Sequence, residues 1–315
     1  CNFRCSYCMP ADVFGEAYRF LPKAELLTFE EIARLARVFA GLGARKVRLT
    51  GGEPLIRKEL DRLIALIAAI PDLDDIALTT NGYFLPQQAQ ALRGAGLRRV
   101  TVSLDSLDNA VFRALNGGRA DVDRVLAGIV AAQHAGFAPI KINAVVKRGV
   151  NDGTVIDLAR FCRERGYIAR FIEYMDVGNL NGWRLDDVVP AREIVERIDA
   201  QMPLEPVAPR YPGEVARRYR YRDGSGEIGV IASVTQPFCG ACTRLRLSPD
   251  GRMFTCLFGA HGTDLRGPLR EGASDDDLVA IVRNVWYRRD DRYSEVRASH
   301  APPRDPTIEM YQIGG

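Results

Sequence analysis

Six of the seven cysteines fall into two triplets: Cys1, Cys5 and Cys8 at the start, and Cys239, Cys242 and Cys256 near the other end. Cys1-x-x-x-Cys5-x-x-Cys8 has no fourth cysteine beside it. Three close thiolates fit three irons of a cubane iron–sulfur cluster and leave one iron open. An open metal position suits catalysis, whereas structural metal sites are usually closed. The competing reading is a zinc site with a distant fourth ligand; the spacing, with aromatic Tyr7 just ahead of the third cysteine, favours iron–sulfur. Cys239-x-x-Cys242 and Cys256 again supply three thiolates. Here His261 offers itself as a fourth, zinc-type ligand, and taken in isolation the triplet suits zinc and iron–sulfur equally. Cys162 stands alone in a helical pattern and reads as a small apolar residue. An odd cysteine count in 315 residues argues against a secreted disulfide framework and for a reducing compartment.

A second chemical signal is Thr50-Gly51-Gly52-Glu53-Pro54, placed directly after a strand pattern. Glycines let a ligand approach backbone N–H and C=O groups closely. Alone the string passes for an ordinary strand-to-helix turn; downstream of the first cysteine triplet it becomes specific.

These residues need a scaffold, and the first two-thirds of the chain alternates β-branched runs with helical patterns. Thr28-x-x-Glu31 is a capping box that opens a helix to about Gly43. Strands are expected at 47–50, 76–80, 100–104, 140–146 and 168–174. Helices are expected at 59–69, after Pro86, from about Asn109 and Asp121, and at 152–165. Repeated β–α units imply a parallel sheet with crossover helices. Four of these strands share a pattern: Val47, Leu49, Ile76, Leu78, Val102, Leu104, Ile140 and Ile142 on one face, and Arg48, Thr50, Thr79, Asn81, Ser103, Asp105, Lys141 and Asn143 on the other. Crossover helices claim the apolar face. The polar face then suits the lumen of a full or partial barrel that holds a polar ligand. Four prolines between Pro203 and Pro212 read as a linker or boundary, giving units of 1–205 and 206–315. Arg217-Arg218-Tyr219-Arg220-Tyr221-Arg222 reads as an exposed strand with arginine stems over the rings, in preference to a nucleic-acid patch. A strand at 228–232, a helix at 275–288 and a flexible Gly314-Gly315 tail complete the pattern.

Composition excludes several classes. The apolar fraction of 47% and charged fraction of 26% are those of an ordinary globular protein, so neither a disordered nor a fibrous chain is expected. A net charge of +3 gives no reason to expect nucleic acid or a membrane surface as partner, so any anion site must come from local clustering. No apolar run approaches transmembrane length and no secretory signal is visible, so a cytoplasmic location is expected. The sequence opens abruptly on its cysteine-rich turn, which suggests that a natural segment precedes it.

CxxxCxxC followed by GGEP resembles the radical S-adenosylmethionine (SAM) superfamily. The resemblance implies that SAM binds the open iron through its amino and carboxylate groups, accepts one electron, and yields a 5′-deoxyadenosyl radical that abstracts hydrogen. It places Gly51, Gly52 and Glu53 at the methionine end of SAM, with Tyr7, Ser103 and Met175 also against it. Longer strings narrow the resemblance: CNFRCSYCMP at 1–10, LTGGEPL at 49–55, LTTNG at 78–82, FIEYM at 171–175, FCGACTRLR at 238–246, and the terminal glycines. Together these span nearly the whole chain and resemble the GTP 3′,8-cyclase (molybdenum cofactor biosynthesis protein A) family.

That resemblance implies an α/β partial TIM-like barrel with a C-terminal extension, and two [4Fe-4S] clusters, with Cys239, Cys242 and Cys256 holding the second. The second cluster would bind the guanine of GTP, and Arg48, Thr79, Lys141, Arg170, Arg244 and Arg246 would contact the nucleotide. The implied reaction is a radical SAM lyase step from GTP to (8S)-3′,8-cyclo-7,8-dihydroguanosine 5′-triphosphate, first in molybdenum cofactor biosynthesis. A reductant such as flavodoxin or ferredoxin, hand-off to cyclic pyranopterin monophosphate synthase, and a monomer or homodimer are implied with it. Five cations converging suit a triphosphate, and no P-loop string is present. The family carries a segment before the first cysteine with a further phosphate-binding arginine, which has no counterpart to assign here. The rival readings are a peptide-modifying maturase with auxiliary clusters, which usually carries more C-terminal cysteines, and a non-catalytic iron–sulfur or zinc regulator, which would need a DNA- or partner-binding element.

Overall fold

The computed structural model describes residues 1–178, 180–297 and 308–314. The expected β–α alternation is present. Parallel strands β1 (Lys46–Leu49), β2 (Asp75–Thr80), β3 (Arg99–Ser103), β4 (Lys141–Val146) and β5 (Ile168–Glu173) pair in sequence order. Between and before them run α1 (Phe29–Gly41), α2 (Leu60–Ala68), α3 (Leu85–Gly94), α4 (Asn109–Asn116), α5 (Val122–His134) and α6 (Val155–Glu164). The capping box forms as the sequence requires: Glu31 N donates to Thr28 Oγ1 at 3.1 Å, and Thr28 N donates to Glu31 Oε2 at 2.7 Å. Two of the N-terminal donors that a helix leaves orphaned are thereby satisfied.

The side-chain alternation sorts as expected. Ile76, Leu78, Val100, Val102, Ile140 and Ile142 are buried in one large core with the helices. Arg48, Thr79, Ser103, Lys141, Asn143 and Arg170 keep partial or full solvent contact on the opposite face. The fold is the partial barrel of the radical SAM type, with a C-terminal extension.

The sheet continues past the boundary expected near residue 205. After α7 (Ala191–Asp199), β6 (Leu204–Val207), β7 (Arg217–Tyr221) and β8 (Glu227–Ile231) join it in the order β1-β2-β3-β4-β5-β8-β7-β6. The proline-rich stretch is therefore not a plain linker: Pro206 sits in the edge strand, where a missing N–H is tolerated. The arginine–tyrosine run is a strand, but only partly exposed. Arg218 pairs with Glu227 and Arg220 with Glu205, while Tyr221 is buried in the core.

Beyond it lie a small antiparallel sheet of β9 (Arg246–Leu247), β10 (Arg252–Phe254) and β11 (Thr263–Asp264), and helices α8 (Arg266–Arg270), α9 (Asp275–Tyr287), α10 (Tyr293–Val296) and α11 (Met310–Ile313). Leu278 and Val282 of α9, with Met253, Leu265 and Leu269, pack on Leu35 and Val38 of α1. Truncating one such buried leucine to alanine costs about 2–5 kcal/mol. Among the described residues no helix is long and apolar enough to cross a membrane.

Candidate active site

The first cysteine loop is held by main-chain and arginine contacts. Cys8 N and Met9 N donate to Cys5 O at 3.0 and 2.8 Å, which closes the turn. Arg4 is buried and donates to the carbonyls of Phe14, Cys1 and Phe3 at 2.6, 2.9 and 3.0 Å. Gly117, the left-handed cap of α4 at φ 73°, lets Arg4 approach: a Cβ there would lie 2.7 Å from Arg4 Cβ.

The Gly51-Gly52 turn abuts this loop. A Cβ on Gly52 would lie 3.0 Å from Cys1 Cβ, and Gly51 has a φ of 140°. Glu53 is buried, and its carboxylate accepts from Leu55 N at 3.0 Å, Thr80 Oγ1 at 2.7 Å and Asn81 N at 2.8 Å. It is thus turned into the protein and ties the turn to the end of β2. Burial raises its pKa, against the pull of these donors. Tyr7 is buried and donates to Asp105 Oδ2 at 2.8 Å. Burial lifts Asp105 to about 6, opposed by donation from Val145 N and Tyr7. Ser103 ends β3 and Met175 follows β5. Gly51, Ser103 and Met175 therefore sit at the carboxyl ends of parallel strands, where α/β folds place their ligands.

The six nucleotide-contact candidates form two groups. In the barrel, Arg48 Nη1 donates to Thr79 Oγ1 at 2.8 Å and reaches Thr101 Oγ1 at 3.4 Å. Lys141 is pushed down to about 7 by burial and then by Arg170, Arg99, Arg48 and Arg210. Arg170 is pushed down to about 10 by burial and then by Arg48. Asp75 neutralises Arg99 and Glu227 neutralises Arg210, whereas Arg48, Lys141 and Arg170 have no carboxylate partner among the described residues, which favours an anion beside them. Asn143 Oδ1 and Arg170 Nε, on residues paired across β4 and β5, are both buried without a hydrogen-bond partner. An acceptor and a donor left open side by side fit a polar ligand.

The second group adjoins the second triplet. Arg244 Nε lies 3.2 Å from Cys242 Sγ, and Arg289 Nη1 donates to Cys242 O at 2.6 Å. Arg246 is pushed down to about 10 by burial and Arg244, while Cys256 and Cys242 oppose the shift. Arg244 precedes β9 and only Arg246 is within it, so the two arginines, two residues apart, do not share a strand face.

All six cysteines of the triplets are free and partly exposed. Among the described residues no three His, Cys, Asp or Glu side chains converge closely enough to hold one metal ion. Each set offers three free thiolates, the donor number that a cubane cluster with one open iron takes.

Residues 1–162 match the Radical SAM superfamily model, and residues 167–295 match the Molybdenum Cofactor Synthesis C model. The chain is 60% identical over 302 residues to a curated GTP 3′,8-cyclase of Acidothermus cellulolyticus, covering 95% of this chain and 83% of that one. It is 51% identical to the GTP 3′,8-cyclase of Xanthomonas campestris pv. campestris (strain 8004), covering 100% and 92%. The chain belongs to the GTP 3′,8-cyclase family. Solved structures agree on the fold: methylornithine synthase (PylB) superposes with a TM-score of 0.51 at 17% identity, covering 95% of this chain and 82% of that one. As in the radical SAM superfamily generally, a [4Fe-4S] cluster and SAM are the cofactors of this family.

Several site residues carry no motif of their own. Arg99 is two residues before Thr101 on the polar face of β3, so alternation alone exposes it. Asn143 is likewise on that face. Arg210 comes from the proline-rich segment and Arg289 follows α9; neither position has a periodic signal that marks it.

Proposed function

We propose that the chain is itself a GTP 3′,8-cyclase with two [4Fe-4S] clusters, one on Cys1, Cys5 and Cys8 and one on Cys239, Cys242 and Cys256. The observation that supports this reading is the set of unpaired cations Arg48, Lys141 and Arg170 on the polar face of the sheet, with the first triplet seated on Gly51-Gly52 and Arg244 beside Cys242 of the second. When bound, the first cluster supplies the electron that cleaves SAM.

The chain's own residues do the rest of the positioning. Gly51 and Gly52 leave main-chain groups open beside Cys1 for the methionine end of SAM, with Tyr7, Ser103 and Met175 around it. Glu53 holds that turn from behind. Arg48, Thr79, Lys141 and Arg170 bind the triphosphate. Arg244 and Arg246 orient the nucleotide at the second triplet. Holding both substrates on one scaffold makes their encounter effectively intramolecular. Gly314, at φ 68°, is buried against Thr50: a Cβ there would lie 2.3 Å from Thr50 Cγ2 and 3.0 Å from Gly51 N. The tail therefore reaches the SAM turn and assists radical control; Gly315 lies outside the described residues. Removing both glycines with no loss of turnover would refute that role.

The reading extends to a cytoplasmic enzyme, monomeric or homodimeric, reduced by flavodoxin or ferredoxin, whose product passes to cyclic pyranopterin monophosphate synthase. The test is anaerobic reconstitution, reduction, and addition of SAM with GTP, read by mass spectrometry. Equal formation of 5′-deoxyadenosine and a cyclised guanine nucleotide is expected. Deoxyadenosine with GTP untouched would leave radical SAM chemistry and overturn the substrate. Neither product, with full iron and sulfide, would overturn the catalytic reading.

A further inference from the structure

Asp176 directly follows Met175, and both of its carboxylate oxygens are engaged from the C-terminal extension. Arg297 Nη2 lies 2.8 Å from Oδ1 as an ion pair, with side-chain exposures of 11% and 14%, although neither atom has a hydrogen-bond partner among the described residues. Tyr293 donates its hydroxyl to Oδ2 at 2.8 Å. Arg297 reaches further, donating from Nη1 to Ser233 O at 3.1 Å. Its guanidinium lies over Phe258 at 5.3 Å and Tyr293 at 5.6 Å from the ring centres. Those two rings stack, with centroids 4.4 Å apart and planes at 18°. Phe258 in turn has its N–H 3.5 Å from Cys256 Sγ.

On the other side of Met175, Glu173 is fully buried and has no arginine or lysine partner among the described residues. Its carboxylate accepts from Val234 N at 2.7 Å, Thr235 N at 2.9 Å and Ala191 N at 2.7 Å, and from the Thr235 hydroxyl. Residues 233–235 lead into Cys239, and Phe258 lies just past Cys256. Both flanks of the second triplet are thus tied to residues that bracket Met175.

Apolar packing alone would hold these parts together but would let them slide, because it is non-directional. A desolvated ion pair is a weak stabiliser compared with well-packed apolar groups. The charge-assisted hydrogen bonds from Tyr293 to Asp176 and from Arg297 to Ser233, however, have narrow geometry and set distance and orientation, and the ion pair links the two. We propose that Arg297 is a positioning residue: through Asp176 and Ser233 it sets the spacing between the Met175 segment and the second cysteine triplet, and hence between SAM and the nucleotide. The inference rests on the function proposed above. Arg297 is held by Asp176 and Ser233 and is not among the residues assigned to SAM or the nucleotide, so its loss is expected to leave SAM cleavage in place and to separate it from nucleotide cyclisation.

The test compares wild type, Arg297→Met, Arg297→Lys and Tyr293→Phe, each as the full chain reconstituted anaerobically with matched iron and sulfide. Two quantities are read: cyclised nucleotide per 5′-deoxyadenosine under turnover, and amide hydrogen exchange of 174–178 and 233–235 without SAM or reductant. For Arg297→Met the product per deoxyadenosine is expected to fall ~10-fold or more, as ångström-scale misplacement does, with faster exchange in both segments. Arg297→Lys should restore part of the ratio, and Tyr293→Phe should lower it by a few-fold. An unchanged ratio in Arg297→Met overturns the proposal. If that variant does not fold, an unchanged ratio in Tyr293→Phe does so. A wild type that makes deoxyadenosine but no cyclised nucleotide counts against the proposed function alone; the exchange comparison then decides the clamp, and unchanged exchange in Arg297→Met overturns it.

Discussion

Around Cys5 and Cys8 stand partial burial and the acids Asp105 and Glu309; around Cys242 and Cys256 stand Arg244, Arg246 and Arg289. Burial, with Asp105 and Cys8, pushes the Cys5 thiol well up, and burial with Glu309 pushes Cys8 up to about 12. At Cys242 burial also opposes ionisation, but Arg244 and Arg289 outweigh it and the thiol falls below its ordinary range. Cys256 stays raised, burial outweighing Arg246. Equal cysteine counts therefore mean different things. The first set depends on bound metal to draw its protons off. The second is set among fixed cations that also suit an anionic substrate.

The sharpest way to break this comparison is to remove one thiolate from each triplet. Cys5→Ala should bring 5′-deoxyadenosine formation to background, whereas Cys256→Ala should spare SAM cleavage by the first cluster and abolish GTP conversion. Equal loss of both activities in Cys256→Ala would erase the division of labour.

The arginines come next. Arg246→Ala should weaken GTP binding by ~10- to 100-fold, the usual range for a charge-assisted contact, and leave SAM binding within about twofold. Calorimetry with each ligand separates the two, and equal effects would contradict a nucleotide role. In the metal-free protein, Cys242 should alkylate several-fold faster than Cys5 or Cys8 at neutral pH, as read by peptide mapping. The reverse order would show that the arginines do not govern that thiol.

The smallest effect concerns Lys141. Folding holds it down to about 7, through burial and four arginines. A bound polyphosphate favours the ammonium. GTP affinity should then be full below about pH 7 and decline as pH rises above it, by at most ~10-fold per unit. The same depression means that the unfolded chain binds the extra proton between about 7 and 10.5, so the ligand-free protein should gain stability as pH rises through that window. Lys141→Met should flatten the pH dependence of GTP titrations; an unchanged slope would assign it to another group.

Much of the scaffold was legible because period and capping are local. The alternation of Val47, Ile76, Val102 and Ile142 with Arg48, Thr79, Ser103 and Lys141 marked both faces of the sheet before any strand was paired. The Thr28–Glu31 box marked a helix start. The proline-rich stretch misled, because a strand at the sheet edge tolerates Pro206 and composition cannot tell an edge from a linker.

By itself, the sequence determined which chemistry is present: two cysteine triplets, a glycine turn after the first strand, and lumen-facing cations, all written in residue type and short spacing. Tertiary structure alone decided which charges meet. Arg99 and Arg210 join Lys141, Arg289 joins Cys242, Glu53 turns inward to Thr80 and Asn81, and Asp176 pairs with Arg297, 121 residues away. The reason is physical. Hydrophobic period and capping act between near neighbours along the chain, whereas charge–charge and hydrogen-bond energies depend on distance in space, which exists only once β-strands, helices and the C-terminal extension have packed.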